Sequence, residues 1–245
     1  MSVRVLIGRC NRGTDGGKNQ GGFIVLRRYG LIMAMPSDLP SDLPSDLPSD
    51  LPSDLPSDPG SPRPIAADDK NWTWVLERIC PDCGFDAIGT APSDVAGLVR
   101  SQVAEWRELL ARPDARLRPT ADQWSALEYG CHVRDVFDLF DHRLELMLAE
   151  DAPQFANWDQ DQTAVNSRYD LQDPAVVADQ LEAAAHAISA RFEQVGDHQW
   201  MRTGHRSDGA EFTVDGFARY FLHDPLHHLD DVRRGNEILN NSGLD

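Results

Sequence analysis

Lysine is almost missing from this chain: Lys18 and Lys70 are the only two among 23 basic residues, against 40 Asp plus Glu and a formal charge of -17. A surface with that excess of negative charge repels a phosphate backbone, so nucleic acid is excluded as an expected partner. Cysteine is also sparse, with Cys10, Cys80, Cys83 and Cys131 alone in 245 residues. Four thiols in a chain of this length do not make a disulfide scaffold, and they suit a reducing compartment. No apolar run approaches the roughly 18 to 20 residues that cross a bilayer, and the N-terminus lacks the basic, apolar and small-residue order of a signal sequence. A cytoplasmic protein with no membrane partner is therefore expected, and Met33 or Met35 could also serve as its start. The preference for arginine over lysine is the usage that a GC-rich genome gives.

What is present divides into three parts. Residues 36–58 repeat Pro-Ser-Asp-Leu without error. A proline at every fourth position stops helix propagation, and one leucine per repeat buries too little surface to offset the ordering entropy. Residues 1–67 are accordingly expected to be a disordered extension, and their 7 basic and 7 acidic side chains leave the whole charge excess on the remainder. Residues 68–92 form a pre-bundle segment containing Cys80-Pro-Asp-Cys83, and residues 93–240 carry the folded domain.

Four amphipathic helices are predicted in that domain, with no convincing strand pattern. The first is capped by Ser93, places Val95, Leu98, Val99, Trp106, Leu109 and Leu110 on one stripe, and stops at Pro113. The second opens on the capping box Ser125-Ala-Leu-Glu128 and runs to about Glu150, with Val133, Val136, Phe137, Phe140, Leu144 and Met147 inward. The third starts at Asp173-Pro174 and buries Val177, Leu181, Ala184, Ile188, Phe192 and Val195 before Gly196. The fourth runs from near Thr213 to near Gly235 on Val214, Phe217, Phe221 and Val232. The fold class is all-α, a four-helix bundle.

The fourth helix holds the most informative segment, His223-Asp-Pro-Leu-His-His228. Continuing the arc of Val214, Phe217 and Phe221 at about 100° per residue brings Asp224 and His228 inward and leaves His223 and His227 roughly 120° or more away. An inward acid and imidazole are costly unless paired, hydrogen-bonded or bound to a cation. His132, one turn after Glu128 in the second helix, is a third candidate ligand. Two nitrogens and a carboxylate leave a coordination position open, as catalytic sites for divalent ions do. Pro225 can shift the phase of the wheel, which makes His223 with His227 the rival pair. A hydrogen-bonded Asp224–His228 pair without metal, with His223 and His227 on a solvated or dimer-contacting face, is the plainer reading.

Trp124-Ser-Ala-Leu-Glu-Tyr-Gly-Cys-His132 and Asp224-Pro-Leu-His-His228-Leu-Asp-Asp-Val resemble the two metal-site motifs of the DinB-like superfamily, which includes mycothiol-dependent maleylpyruvate isomerases and bacillithiol transferases. The resemblance spans roughly residues 90–236. It implies a four-helix bundle with an inter-helix triad holding a divalent ion such as zinc or nickel, here His132, Asp224 and His228. Asp224 departs from the commoner all-histidine pattern. The resemblance further implies activation of a low-molecular-weight thiol, mycothiol above all, or of water, for transfer, isomerisation or hydrolysis of a small-molecule substrate, and a homodimer. The alternative is a non-catalytic dimeric bundle with a structural or vacant metal site.

Cys80 and Cys83 have the spacing of half a zinc knuckle or of a redox pair, and with no second Cys pair following, a plain turn is the simpler reading. Cys131 points about 100° from His132 and is read as a packing residue. Glu128 faces outward on an ideal wheel, and Asp231 is read as a partner behind the ligands. The long connection around Phe155-Ala-Asn-Trp158 could cover a pocket mouth. Arg202, His205 and Arg206 could hold a carboxylate, although a solvated turn is the simpler reading. Trp72 and Trp74 are expected to pack the pre-bundle segment onto the helices.

Overall fold

The computed structural model describes residue 65 and residues 71–242; apart from residue 65, the extension expected over residues 1–67 lies outside the described residues. The described chain folds around four long helices, α1 (Val95–Leu110), α2 (Ala126–Ala149), α4 (Pro174–Glu193) and α5 (Val214–Asn241), with a short α3 (Gln160–Asn166) between α2 and α4. Helices α1 and α2 each pack chiefly on α4 and α5, so the order around the bundle is α1–α4–α2–α5. Two of the three chain connections therefore cross a diagonal, which requires longer loops than an up-and-down bundle does. The consequence for function is that α2 and α5 are neighbours.

Local chemistry sets the ends of these helices. Ser125 caps α2 in the predicted box: its Oγ accepts from Glu128 N at 3.2 Å while its own N–H donates to Glu128 Oε2 at 2.9 Å. Asp173 caps α4 through Ala175 N and Val176 N, with Pro174 in the first turn. Thr213 caps α5 through Gly216 N.

Five expectations need correction. Helix α1 begins after a 3-10 turn, Pro92–Asp94, so Asp94 and not Ser93 is its first flanking residue. Its buried face is Val95, Ala96, Val99, Gln102, Trp106 and Leu110, and the anticipated Leu98 is 37% exposed because the helix seats on Val99 and Trp106. Helix α5 does not stop at Gly235. That glycine is a contact point, where a Cβ would lie 3.0 Å from Pro119 Cγ, and the helix continues to Asn241. Glu128 does not face outward: it is 4% exposed, because Arg118 from the α1–α2 connection folds over it and donates from Nε to Oε2 at 3.0 Å.

The fifth correction is a small sheet that the sequence pattern did not reveal. Strand β1 (Gln154–Phe155) runs parallel to β2 (Thr203–Arg206), and β2 pairs antiparallel with β3 (Glu211–Thr213) in the register Gly204 opposite Phe212. Segments of two to four residues are too short for alternation to show. Gly204 permits the sheet to lie on α2, since a Cβ there would sit 2.8 Å from Met147 Cγ. Arg202 closes the C-terminus of α2 by donating to Met147 O and Glu150 O, where the helix presents unpaired carbonyls. Arg206 is held by Asp208 and Tyr220. These arginines are structural and take no part in the polar cluster described below.

Cys131 sits in a satellite cluster with Leu110, Leu127, Tyr169, Val177 and Ala178, fully buried, and burial pushes its thiol up to about 12. Two outcomes follow. Iodoacetamide at neutral pH leaves Cys131 unmodified in the folded protein and labels it after denaturation, as read by peptide mass mapping. Glu128→Ala, which opens both the capping box and the buried ion pair, lowers the free energy of unfolding in urea by about 3 kcal/mol, and Ser125→Ala by about 1 kcal/mol.

Candidate metal centre

Because α2 and α5 are neighbours, His132 of α2 meets Asp224 and His228 of α5, one turn apart on the same helix. One ligand atom from each of the three lies within 4.8 Å of those of the other two. His132 Nε2 is 3.3 Å from Asp224 Oδ1, and His228 Nε2 is 3.8 Å from that same oxygen. Both ring nitrogens of His132 and Oδ1 of Asp224 are buried with no hydrogen-bond partner, the 3.3 Å approach being misaligned for one. Buried nitrogens and a carboxylate oxygen left without hydrogen-bond partners are unfavourable, and a cation removes that cost. Two imidazoles and one carboxylate are also a donor set that zinc or nickel accepts.

The surroundings sharpen the arrangement. His228 Nδ1 lies 3.0 Å from Asp231 Oδ2, which leaves Nε2 as the nitrogen turned towards Asp224. Asp231 thus engages the ring of His228 on the side away from Asp224. Trp158, from the connection between α2 and α3, stacks on His132 at 5.4 Å and 12°, while Trp124 approaches the same ring at 5.5 Å. Tyr129 lies against His228 at 5.0 Å. His132 is completely buried, whereas the side chains of Asp224 and His228 keep 30% and 18% exposure. The cluster is therefore closed on the α2 side and reached from solvent over α5. Burial pushes the Asp224 carboxyl upward, but His132 and His228 outweigh it and hold it at about 2. An ionised carboxylate is the ligating form.

The other flank of α5 departs from expectation. His223 is 4% exposed and does not lie on a solvated or dimer-contacting face. The pre-bundle segment folds across it, with Trp72 at 5.4 Å and Phe85 at 5.8 Å from its ring, and Trp72 also lies 5.2 Å from His227. Burial pushes His223 down to about 4, so its imidazole is neutral at pH 7. Pro225 is accommodated inside an unbroken α5, so the wheel stays in phase, and His223 with His227 is no substitute for Asp224 with His228. The two pairs serve opposite flanks, and Cys80 and Cys83 lie beside the former. Sequence reasoning missed this convergence and the contact of Trp124 with His132, while the connection carrying Trp158 was expected as a cover. The available signal was the combination of Cys-x-x-Cys with His-x-x-x-His.

Residues 113–232, which contain both motif segments, match the model of the DinB superfamily. Among solved structures, the chain resembles YfiT from Bacillus subtilis, described as a probable metal-dependent hydrolase with an unusual four-helix bundle topology, at a TM-score of 0.53 and 17% identity, over 63% of this chain and 87% of that one. A search of curated proteins finds no match. The family match over residues 113–232, together with the four-helix-bundle fold shared with YfiT, supports a DinB-like superfamily member.

Proposed function

We propose that the protein is a divalent-metal-dependent enzyme in which His132, Asp224 and His228 hold zinc or nickel at a site that keeps a position open for a small molecule. The observation that carries this reading is the trio of converging donor atoms, three of whose nitrogens and oxygens are buried and without hydrogen-bond partners. Asp231 supports it from behind: by engaging His228 Nδ1 it fixes the ring so that Nε2 is presented to the site. Trp158 and Trp124 keep water from the His132 side, which confines access to the edge where Asp224 and His228 are exposed. A divalent ion bound there would lower the pKa of a coordinated thiol or water and supply a nucleophile at neutral pH. A low-molecular-weight thiol such as mycothiol is the preferred cosubstrate, on the family resemblance and the GC-rich residue usage, with water as the second reading. A purely structural triad would be expected to carry a fourth protein ligand; the nearest further carboxylate, Asp231, engages the far nitrogen of His228 instead.

Metal analysis of the purified chain tests the ligand set. His132→Ala, Asp224→Ala and His228→Ala are each expected to lower bound metal by about one equivalent per chain. Asp231→Asn is expected to retain the ion with roughly 10- to 100-fold weaker affinity, measured by competition with a chelator. Unchanged metal content in all three alanine variants would refute the assignment. Consumption of an electrophilic substrate with and without added thiol, before and after chelation, separates thiol transfer from hydrolysis.

A further inference from the structure

The chemistry on the second flank of α5 is unlike that of the first. Cys80 and Cys83 belong to a tight turn in which Cys80 N donates to Phe85 O and Gly84 N donates to Cys80 O, both at 2.9 Å. Gly84 has φ +74°, a left-handed conformation that glycine adopts without strain. The turn directs both thiols at His223 and His227, which are one helical turn apart on α5. One ligand atom from each of the four residues lies within 4.8 Å of the other three, and Cys80 Sγ is 3.7 Å from His227 Nδ1. Around a tetrahedral zinc with ordinary bond lengths, such atoms lie roughly 3.3 to 3.8 Å apart, so the cluster needs only a small contraction.

We infer that Cys80, Cys83, His223 and His227 form a second metal site, a structural Cys2His2 zinc centre that fastens the pre-bundle segment to α5. Four features of this flank carry it. The donor set and its spacing, Cys-x2-Cys and His-x3-His, are those of structural zinc, although some 140 residues separate the two halves. Cys80 is fully buried, His223 nearly so, and His227 keeps only 12% of its side-chain exposure. His223 Nε2 is buried without a hydrogen-bond partner, a cost that a cation would remove. Two thiolates also neutralise a divalent ion, so the filled site adds no net charge to the interior. The segment being fastened has little structure of its own, a 3-10 turn at Trp72–Leu76 and the cysteine turn, which is the circumstance in which a metal contributes folding energy outright.

The second site also touches the first. Asp231 Oδ2 lies 3.0 Å from His228 Nδ1 and 3.7 Å from His227 Nε2, so a single carboxylate stands behind one ligand of each cluster. Arg234 joins the assembly by donating to Asp231 Oδ1 at 2.6 Å and to the carbonyl of Asp82, inside the cysteine turn, at 3.2 Å. The site with four protein ligands is closed, while the triad with three is open, so the two divide a structural and a reactive role between them.

The full-length chain, purified under reducing conditions and loaded with cobalt in place of zinc, tests this without mutation. Thiolate-to-cobalt charge-transfer absorption in the near ultraviolet is expected, and a thiol-blocking mercurial should release about one equivalent of metal per chain. Cys80→Ser with Cys83→Ser should abolish that absorption and lower bound metal by about one equivalent, whether or not the triad is loaded. His132→Ala should leave the absorption intact, so failure here and failure of the triad assignment are told apart. A cobalt-loaded wild-type protein with no thiolate band, or a Cys80–Cys83 disulfide found under the same reducing conditions, would overturn the inference.

Discussion

Taking an imidazole or a carboxylate out of water is unfavourable unless something replaces the lost hydration, and α5 does this repeatedly between His223 and Asp231. His223, Asp224, His227, His228 and Asp231 all lie at least partly inside the domain. The surrounding architecture is arranged to meet them. Helix α2 brings His132 to one flank, the pre-bundle segment brings two thiols to the other, and Asp231 lies between, in contact with a histidine of each. An apolar core dominated by Phe137, Phe140, Phe217 and Phe221 occupies the stretch of α2 and α5 nearer the sheet, which keeps the polar clusters at one end of the interface.

The helix order α1–α4–α2–α5 is what makes this arrangement available. In an up-and-down bundle the first and second helices would be neighbours throughout; here α1 and α2 lie across a diagonal, and α2 spends its free face on α5. The diagonal α1–α2 and α4–α5 connections then have to be long, and the structure uses their length. The α1–α2 connection provides Arg118 to cover Glu128, and the α2–α4 connection, which joins neighbours, provides Trp158 to cover His132. The α4–α5 connection folds into β2 and β3 and delivers Thr213 as the cap of α5. Loops of this kind serve packing and access together, which is why residues that look like solvated linkers are found against buried histidines.

Several local and periodic signals in the sequence were read correctly. The capping box at Ser125, the Asp173-Pro174 start of α4 and the inward phase of Asp224 and His228 follow from side-chain reach and the 3.6-residue repeat, and each is found where those rules put it. Three of the misplaced details were ones in which a distant segment decides burial or contact. Glu128 is inside because Arg118 covers it, Gly235 is a packing contact because Pro119 lies over it, and His223 is inside because Trp72 and Phe85 cross its face. A helical wheel cannot anticipate such covers, since it treats every direction away from the apolar stripe as solvent.

The amino-acid sequence by itself determined the four long helices, the caps of α2, α4 and α5 and the two motif segments within the matched region, since propensity, capping and spacing act within a few residues of one another. Only the tertiary structure decided that His223 and His227 do not compete with Asp224 and His228 but face a different set of donors. Cys80 and Cys83 lie some 140 residues from the histidines they meet, and nothing in local chain chemistry links segments so far apart. Their meeting depends on where the bundle leaves a flank of α5 uncovered and on the pre-bundle segment folding across it.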